Sequence, residues 1–497
     1  MIKRIFIRQK AKQLTFRFKA LLAITLSLFA FVGIPQVLAK PVNKPNIIIY
    51  VTDDQGLETL GIYGGKDVPT PHLDSFAKQG VYFTHAFASA SSCAVSRANI
   101  LSGQHGHVNG MYGHAHGKHH FSSFDNTLSL PNRLTQEGYR TARVGKYHLA
   151  PAEVYQFDQV LSGKTKSGFA SGRSLVEMAD EVMSFVKAEG EAGKQQPFFL
   201  YIAPNDPHRA APHQFDKANS FGNRKGGYPG VKPFRQKPSE VGIPNYLPDL
   251  PQIRDEMVEF NESISRIDQG FGRLIQNLKQ AGVFENTIIL FLSDNGTPMP
   301  NAKTTLYDTG IRLPLLMHVP GIQRQGKIDD ALVSWVDLTP TLLDLAGVKY
   351  KADSFNGRSF KTVLNGKNTD DFSEVYASHN FHEITMYYPM RAVRDKRYKL
   401  IWNIAHRLEY PTGWNVWDSS TNYAIRESGV THLGQRLVQD YKFRAEYELY
   451  DLINDPLEVN NLAYRAKHQT TLNKYKNKIK QFVTQTQDPW AIKLIHE

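Results

Sequence analysis

From residue 45 to residue 56 the chain reads PNIIIYVTDDQG, an apolar run that ends in two acids. An unbroken apolar run of this length is typical of a parallel strand that is covered on both faces. In an open parallel sheet, ligands bind beyond the carboxyl ends of the strands. The run therefore predicts a buried strand whose end, Asp53 and Asp54, belongs to a candidate site.

Further strands and helices are predicted to alternate along the next 300 or so residues. The predicted strands cover residues 81–86, 142–149, 197–203, 287–293 and 314–319. The predicted helices cover residues 70–80, 127–138, 175–190, 255–281 and 335–346. Alternation of strand and helix indicates an α/β domain on a mainly parallel sheet, which we expect to cover residues 40–370.

The pattern changes after about residue 370, where short strands are predicted without helices between them. These strands cover residues 374–378, 399–402 and 447–450, and a polar helix follows at 465–485. Residues 371–497 are therefore predicted to form a smaller α+β subdomain with an antiparallel sheet. Residues 218–245, rich in Gly, Pro and Lys, predict a long irregular loop that we expect to face the substrate.

The first 39 residues have the pattern of a secretory signal peptide. Seven basic residues and no acid precede an apolar run from Ala20 to Ile34, and Val37-Leu38-Ala39 resembles a cleavage site. A membrane anchor is the alternative, but the run is shorter than the roughly 20 residues that a span needs. We therefore expect cleavage near Ala39, a periplasmic or secreted protein and no stable membrane anchor.

Charge and cysteine content narrow the classes of partner. The full chain carries a formal net charge of +12, and the seven basic residues of the leader leave +5 for the mature chain. This value argues against a nucleic-acid partner. It suits an acidic substrate or a sulfated glycan, although ordinary surface charge explains it as well. The single cysteine, Cys93, excludes an intramolecular disulfide.

Two strand ends supply a cluster of hard oxygen ligands. Asp294-Asn295-Gly296 follows the predicted strand 287–293, as Asp53 and Asp54 follow the first strand. Carboxylate and amide oxygens suit Ca²⁺ or Mg²⁺ better than zinc. Capping of helix N-termini is the alternative for each pair alone. With Cys93, these residues predict a metal site whose members are Asp53, Asp54, Cys93, Asp294 and Asn295.

Cys93 lies in SSCAVSRANILSG, residues 91–103. A buried filler, a stray thiol and a site of chemistry are the three interpretations of an unpaired cysteine. Small and polar neighbours argue against a filler. Arg97, four residues on and followed by a short helix-like run, favours chemistry.

Cationic and titratable side chains follow the other strands. Lys146 and His148, two apart, are predicted to point to the same face of strand 142–149. His208 follows strand 197–203, and Lys303 lies just beyond the Asp294 cluster. Such groups suit a site that binds an anion and transfers a proton. The alternatives are that Lys146 and His148 are surface residues of an edge strand and that His208 is a loop histidine without a function.

Six histidines crowd a glycine-rich segment, which predicts a loop. Such a tract can bind zinc or copper, but lining of a polar cavity beside Cys93 is the favoured interpretation. The histidines are His105, His107, His114, His116, His119 and His120.

These motifs together resemble the type I sulfatases of the alkaline phosphatase superfamily. The signature C-x-P-S-R of that family is matched by Cys93-Ala94-Val95-Ser96-Arg97, with Val95 in place of proline. The resemblance covers roughly residues 45–490. The remaining motifs, in chain order, are Asp53-Asp54-x-Gly56, Gly145-Lys146-x-His148, Ser293-Asp294-Asn295-Gly296, Asp337-Leu338-Thr339-Pro340-Thr341 and Glu448-Leu449-Tyr450-Asp451 with Asp455-Pro456.

Within that family the chain looks most similar to the sulfamidases, the heparan N-sulfatase type. The segment from His382 to Arg391 carries most of this resemblance. Shorter matches are Asn109-Gly110-Met111-Tyr112-Gly113, His119-His120-Phe121, Pro411-Thr412-Gly413-Trp414 and Asp488-Pro489-Trp490.

The resemblance implies an alkaline-phosphatase-like fold and a hydrolase that acts on sulfuric esters or sulfamates. It implies that a formylglycine-generating enzyme oxidises Cys93 to formylglycine, which supplies the nucleophile. It also implies one Ca²⁺ per chain, held by Asp53, Asp54, Asp294 and Asn295 beside the modified residue.

The resemblance assigns further roles residue by residue. Arg97 would hold the modified side chain, and Lys146 and Lys303 would bind sulfate oxygens. His208 would assist the leaving group, and His148 would help to expel the sulfate. The C-terminal subdomain would complete the substrate pocket with His382, Glu383 and Arg391.

The sequence leaves several functions open. The favoured one is hydrolysis of sulfate from N-sulfoglucosamine in a polysaccharide or glycosaminoglycan. An O-sulfatase on another sulfated polysaccharide, such as an algal one, is the first alternative. A phosphonate or phosphate monoester hydrolase is the second, against which the lack of a Ser or Thr nucleophile counts. Because Val95 departs from the motif, an unmatured, non-catalytic glycan-binding protein is the third. A homodimer is one oligomeric state that the sequence leaves open.

Overall fold

A computed structural model describes residues 44–161, 172–188, 196–210, 220–322, 324–367 and 369–495. The predicted signal peptide, residues 1–39, lies outside the described residues. Among the described helices, none combines the length and the apolar character that a membrane span requires.

The strands form one large sheet, one small sheet and two short pairs within the described residues. Their bounds are β1 Asn46–Thr52, β2 Val81–Phe83, β3 Ala86–Phe87, β4 Arg140–Gly145, β5 Gln159–Leu161, β6 Phe198–Ala203, β7 Thr287–Ser293, β8 Leu315–His318, β9 Gly326–Ile328, β10 Val333–Ser334, β11 Glu374–His379, β12 Met390–Asp395, β13 Tyr398–Asn403, β14 His432–Leu433, β15 Arg436–Leu437 and β16 Tyr447–Asp451.

The helices flank these sheets. Their bounds are α1 Pro71–Gln79, α2 Cys93–Ser102, α3 Gly106–Asn109, α4 Leu130–Gln136, α5 Leu175–Lys187, α6 Pro251–Gln280, α7 Asp308–Ile311, α8 Leu338–Leu345, α9 Lys361–Leu364, α10 Trp414–Trp417, α11 Ser420–Ser428, α12 Val438–Lys442 and α13 Gln469–Gln485.

The large sheet has the order β5-β4-β6-β1-β7-β8-β2-β9. Its pairs are parallel except that β8 runs antiparallel to β7 and to β2. Every residue of β1, β6 and β7 is buried, which confirms that the apolar run is a strand covered on both faces. The α/β fold class with a mainly parallel sheet is therefore confirmed.

The small sheet is antiparallel and has the order β11-β12-β13-β16. Helix α13 packs on β12 and β13 and closes a second apolar core with Leu472, Tyr475 and Ile479. The expected antiparallel sheet in the C-terminal part is thus confirmed, although β12 was not predicted. The division into domains near residue 370 stays a prediction.

Strand β4 ends earlier than the sequence predicts, and the reason is local. The prediction ran from residue 142 to residue 149, but the strand ends at Gly145, whose φ is +86°. A Cβ atom on Gly145 would lie 2.0 Å from the carbonyl oxygen of Ala203 on β6. His148 also has positive φ, +55°. Lys146 and His148 therefore lie in the irregular segment after the strand and not on one face of it, which corrects the prediction.

The predicted long loop is irregular over its described part, residues 220–245. It contains one short 3₁₀ turn, Pro238–Glu240. The two long helices that precede and follow it are confirmed, although α6 begins at Pro251 and not near residue 255. Whether the loop faces the substrate stays a prediction.

A buried ion cluster ties the segment after β6 to helix α6. Asp206 is fully buried and accepts hydrogen bonds from Arg173 and from Arg266 of α6. Its carbonyl oxygen also accepts from the backbone N–H of Asp53, 3.1 Å away. The cluster thus fixes a strand end that contributes to the site.

We expect Asp206→Asn to lower the free energy of unfolding by about 3–5 kcal/mol, because two buried guanidinium groups would lose their counter-ion. Urea denaturation followed by circular dichroism measures this change. The control is Asp329→Asn, which removes an exposed pair with Lys327 and is expected to change little. A variant at position 206 as stable as the control would contradict the assigned role.

Candidate active site at the carboxyl ends of the parallel strands

The register of β1 and β7 brings the two acid clusters side by side. Thr52 pairs with Ser293, so the next residues, Asp53 and Asp294, leave the sheet together. The backbone N–H of Asp294 donates to the carbonyl of Thr52 (3.1 Å), and that of Asp54 donates to Oδ1 of Asp294 (3.1 Å). Both acid clusters therefore lie side by side at the carboxyl end of the sheet, where ligands bind in such folds.

Helix α2 begins at Cys93 and directs its thiol into this point. Sγ of Cys93 lies 3.5 Å from Oδ1 of Asp53 and 3.7 Å from Oδ1 of Asp54. Nδ2 of Asn295 donates to the same sulfur at 3.4 Å. Ligand atoms of Asp53, Asp54, Cys93 and Asp294 all lie within 4.8 Å of one another, and the four residues are fully buried. The structure thus assembles the candidate metal group that the sequence predicts.

The donor set fits a hard divalent cation. Three carboxylates face one another, and Oδ1 of Asn295 is a buried oxygen without a hydrogen-bond partner among the described residues. Burial and the neighbouring Asp53 and Asp294 raise the pKa of Asp54 to about 6, against the opposing charge of Lys303. A cation bound to these oxygens would relieve their repulsion, and oxygen ligands favour calcium or magnesium over zinc.

Arg97, one turn along α2 from Cys93, supports this cluster. Its Nε donates to Oδ2 of Asp294 (2.8 Å), and a second guanidinium nitrogen lies 2.7 Å from the same oxygen. Tyr201 of β6 lies within hydrogen-bond distance of a third nitrogen (3.3 Å). Arg97 therefore orients Asp294, while the predicted contact with a modified residue 93 stays a prediction.

Two lysines contact different carboxylates of the cluster. Nζ of Lys146 lies 2.5 Å from Oδ2 of Asp53, and Nζ of Lys303 lies 2.6 Å from Oδ2 of Asp54. The side chains of both lysines are almost fully buried. Lys146 directly follows β4, and its backbone N–H donates to the carbonyl of Ala203 (2.7 Å). Two buried ammonium groups around one point are suited to bind the oxygens of a tetrahedral anion.

The environment of Cys93 makes its thiol a poor nucleophile. Burial raises the pKa of this thiol well above its usual value, and the opposing charges of Lys146 and Lys303 do not compensate. Since the thiolate is the reactive form of cysteine, the unmodified side chain is protonated and unreactive at neutral pH.

His208 lies at the same rim, in the segment that follows β6. Its Nε2 is 3.7 Å from Oδ2 of Asp54, and its Nδ1 is 2.6 Å from the carbonyl of Arg209. That contact makes Nδ1 the donor and leaves Nε2 to accept from Nδ2 of Asn415 (3.3 Å). Burial, with Lys146 and Lys303, holds the pKa of His208 well below its usual value. No motif indicated Asn415 beyond its place after the Pro411–Trp414 match.

His148 is held neutral beside Lys146. Burial, with Lys146 and two neighbouring histidines, lowers its pKa well below the usual value. Its Nδ1 is buried without a hydrogen-bond partner among the described residues. A neutral imidazole at this rim can accept a proton.

The histidine-rich segment divides into two groups. His114 contacts His382 through their Nε2 atoms (3.1 Å), and Nδ1 of His382 contacts Oγ of Ser92 (2.9 Å), next to Cys93. His114 therefore lies beside the site, while lining of a cavity by the whole tract stays a prediction. His105 and His107 instead pack on Phe482 of α13.

The three predicted substrate residues have different surroundings. His382 is buried beside Ser92, and Glu383 accepts from the backbone N–H of Trp414 (2.9 Å). Arg391 is fully buried and forms a bidentate pair with Asp488 (2.5 and 2.9 Å). The structure thus gives Arg391 a structural ion pair, and its contact with substrate stays a prediction.

Comparison with known proteins shows that the sequence of this chain is similar to sulfatases. The sequence profile described as "Sulfatase" matches residues 45–348, and the profile "N-sulphoglucosamine sulphohydrolase, C-terminal" matches residues 301–424. The chain is 35% identical over 466 residues to the human N-sulphoglucosamine sulphohydrolase, covering 90% of this chain and 91% of that one. It is 27% identical over 434 residues to an ulvan-active sulfatase of Formosa agariphila, covering 87% and 78%.

Solved structures agree with the fold. A protein in complex with its substrate D-glucosamine-2-N,6-O-disulfate superposes with a TM-score of 0.64 at 21% sequence identity, covering 90% of this chain and 99% of that one. The predicted alkaline-phosphatase-like fold is therefore confirmed.

Proposed function

We propose that this chain, which belongs to the sulfatase family, is an exported calcium-dependent sulfamidase that removes N-linked sulfate from glucosamine units of a sulfated polysaccharide. As a member of that family it is a hydrolase of sulfuric esters or sulfamates, and its substrates are sulfated sugars. The observation that carries the proposal is the buried oxygen cluster around Cys93, in a chain 35% identical to a sulfohydrolase of N-sulphoglucosamine.

The proposed nucleophile is formylglycine, made from Cys93 by a formylglycine-generating enzyme. Its hydrated aldehyde supplies an oxygen that attacks sulfur and, by collapsing back to the aldehyde, releases sulfate. The protonated, buried thiol of the unmodified residue has no comparable route. Val95 replaces the usual proline of the motif and is itself buried in α2, so the proposal includes maturation of this variant motif.

The chain's own residues bind the sulfate and move the protons. Lys146 and Lys303 would hold two sulfate oxygens and stabilise the charge that develops on them. His208 would take up a proton at Nε2 when the anionic sulfate group binds, and would give that proton to the amine that leaves when the S–N bond breaks. His148 would take the proton of the second hydroxyl group on residue 93 when sulfate is expelled.

Asp53, Asp54, Asp294 and Asn295 are the proposed calcium ligands. When bound, calcium would polarise the sulfate group and lower the pKa of the attacking hydroxyl. The Arg97–Asp294 pair would keep one ligand in place, and the Lys303–Asp54 and Lys146–Asp53 contacts would orient the other two.

The C-terminal part, residues 371–497, is proposed to complete the substrate pocket. His382 reaches Ser92 beside the nucleophile, and Asn415 reaches the leaving-group histidine His208. The exposed indole of Trp414, next to Asn415, offers an apolar surface beside these groups on which a sugar ring can stack. Export is proposed from the leader sequence at residues 1–39.

An O-sulfatase on another polysaccharide is the second candidate function. It is favoured by the 27% identity to an ulvan-active sulfatase over 87% of this chain. Both functions would use the same nucleophile, lysines and metal ligands, so the bond broken distinguishes them.

We expect the enzyme to release sulfate from glucosamine N-sulfate with a kcat/KM at least about tenfold above that for 6-O-sulfated N-acetylglucosamine or for sulfated algal oligosaccharides. A tenfold preference corresponds to a difference of about 1.4 kcal/mol in transition-state binding. Ion chromatography of free sulfate measures each rate. The Cys93→Ala variant serves as the blank for contaminating sulfatases. A preference for an O-sulfated sugar would support the second function, and a preference for phosphonate or phosphate monoesters would overturn both.

A further inference from the structure

Three histidines converge beside the active site, and the proposed reaction uses one of them. His114 and His116 lie in the loop after α3, and His148 lies in the irregular segment after β4. Each offers a ring nitrogen, and these three atoms all lie within 4.8 Å of one another. This group is separate in chemistry from the oxygen cluster, because its donors are imidazoles alone.

The rings are packed as a set. Those of His116 and His148 stack with centroids 4.0 Å apart, and the ring of His114 lies 4.8 Å from that of His116. Nδ1 of His114 and Nδ1 of His148 are buried and have no hydrogen-bond partner among the described residues. Unpaired buried nitrogen atoms are costly, and a ligand that binds them would remove this cost.

We propose that His114, His116 and His148 form a site for Zn²⁺ that regulates the enzyme by inhibition. The role of zinc as an inhibitor rests on the proposed function, whereas the binding of zinc does not.

Ligand chemistry distinguishes this site from the calcium site. Imidazole nitrogens suit zinc, whereas carboxylate and amide oxygens suit calcium. Zinc–nitrogen bonds of about 2.0–2.1 Å place the ligands of a tetrahedral site about 3.4 Å apart, so the rings would have to move slightly. The exposed His116 has the freedom to rotate for this purpose. Three protein ligands leave a fourth position for water or a substrate oxygen.

Charge at the site does not prevent binding of a cation. Lys146, Lys303 and Arg97 are the positive groups that act on these histidines. Each is paired with a carboxylate of the oxygen cluster, at 2.5, 2.6 and 2.7 Å, which offsets its repulsion of a second cation.

Bound zinc would inhibit through His148. Coordination would occupy a nitrogen that the proposed reaction needs as a proton acceptor. It would also place a cation and its water beside Lys146, where the sulfate group enters. The expected effect is therefore a loss of turnover that chelation reverses.

Zinc binding is tested first without any reaction. Full-length mature protein without an affinity tag, carrying Cys93→Ala, is dialysed against ZnCl₂ with saturating Ca²⁺. The Cys93→Ala background removes the thiol of a competing group formed by Asp53, Cys93 and His208. We expect one zinc per chain and an affinity at least about tenfold lower after His116→Gln, since even an outer partner of a metal ligand contributes that much.

His120→Asn is the matched control, since His120 lies in the same loop outside the three-histidine group. Its φ of +53° is one that asparagine adopts readily. We expect the His120→Asn protein to bind zinc with the affinity of the parent Cys93→Ala protein. Absence of bound zinc, equal affinity in the His116→Gln protein, or displacement of zinc by added calcium would overturn the site.

Inhibition is then measured on the active enzyme. We expect micromolar Zn²⁺ to abolish sulfate release, calcium-loaded EDTA to restore it, and His116→Gln to require at least about tenfold more zinc. Each enzyme's zinc sensitivity is taken relative to its own rate without zinc, because His116 stacks on His148. Equal zinc sensitivity of the two enzymes would overturn inhibition through this site. An enzyme without sulfatase activity would overturn the proposed function, while the dialysis result would stand by itself.

Discussion

Replacing Cys93 with alanine is expected to lower kcat by at least about 10⁴-fold, because loss of a covalent nucleophile leaves only binding and electrostatic effects. The side chain is small and fully buried at the start of α2, so alanine fits without added volume. The lysines and carboxylates around it remain. We therefore expect turnover to vanish while the unfolding midpoint and calcium binding stay near those of the parent protein.

Cys93→Ser sharpens this prediction. A serine hydroxyl could take the sulfate once, but it has no second hydroxyl group from which the ester could collapse to an aldehyde. We expect sulfate to remain covalently attached to the Cys93→Ser protein, as intact-protein mass spectrometry measures. Full turnover by either variant, or an unmodified thiol at position 93 in active exported protein, would contradict the mechanism.

The strand ends of the site could be predicted because a strand that is buried on both faces is a continuous apolar run, whose end is easy to locate in the sequence. The runs at β1 and β7 contain hardly any polar residue until the acids that follow them. Pairing of Thr52 with Ser293 then brings the two acid clusters together. Sequence patterns could give this result because one local property, apolar continuity, determines both strands.

Strand β12 could not be predicted in the same way. Its arginines, Arg391 and Arg394, suggest an exposed segment, yet both are buried. Asp488 and Asp308 neutralise them, and these partners lie 97 and 86 residues away in the chain. Long-range ion pairs of this kind leave no periodicity in the local sequence.

The same limit applies to the contacts that bring the C-terminal part to the site. His382 and Ser92 are separated by 290 residues, and Asn415 and His208 by 207. The family resemblance indicated that the segment from His382 onward matters, but only the structure gives its neighbours. The structure also shows that Arg391 holds Asp488, while its contact with the substrate stays a prediction.

Removing the metal is expected to lower kcat by at least about 10³-fold, since a metal that polarises the reacting group contributes several kcal/mol. Exhaustive treatment with EGTA should abolish sulfate release, and added Ca²⁺ should restore it. Metal content by emission spectroscopy gives the stoichiometry, for which we expect one calcium per chain. Restoration by Mg²⁺ alone would assign the cluster to magnesium, and full activity of metal-free protein would overturn the metal's role.

Asp54→Asn is the matched variant for this test, and it is the cleanest of the carboxylates to change. Asp294 also holds Arg97, whereas Asp54 contacts Lys303 and stands at a φ of +69° that asparagine tolerates. The substitution keeps the side-chain shape and one oxygen but removes a negative charge. We expect weaker calcium binding and a loss of at least about 10²-fold in kcat at ordinary calcium, partly recovered at high calcium. The exposed Asp329→Asn control should change neither, and unchanged calcium affinity in Asp54→Asn would remove Asp54 from the ligand set.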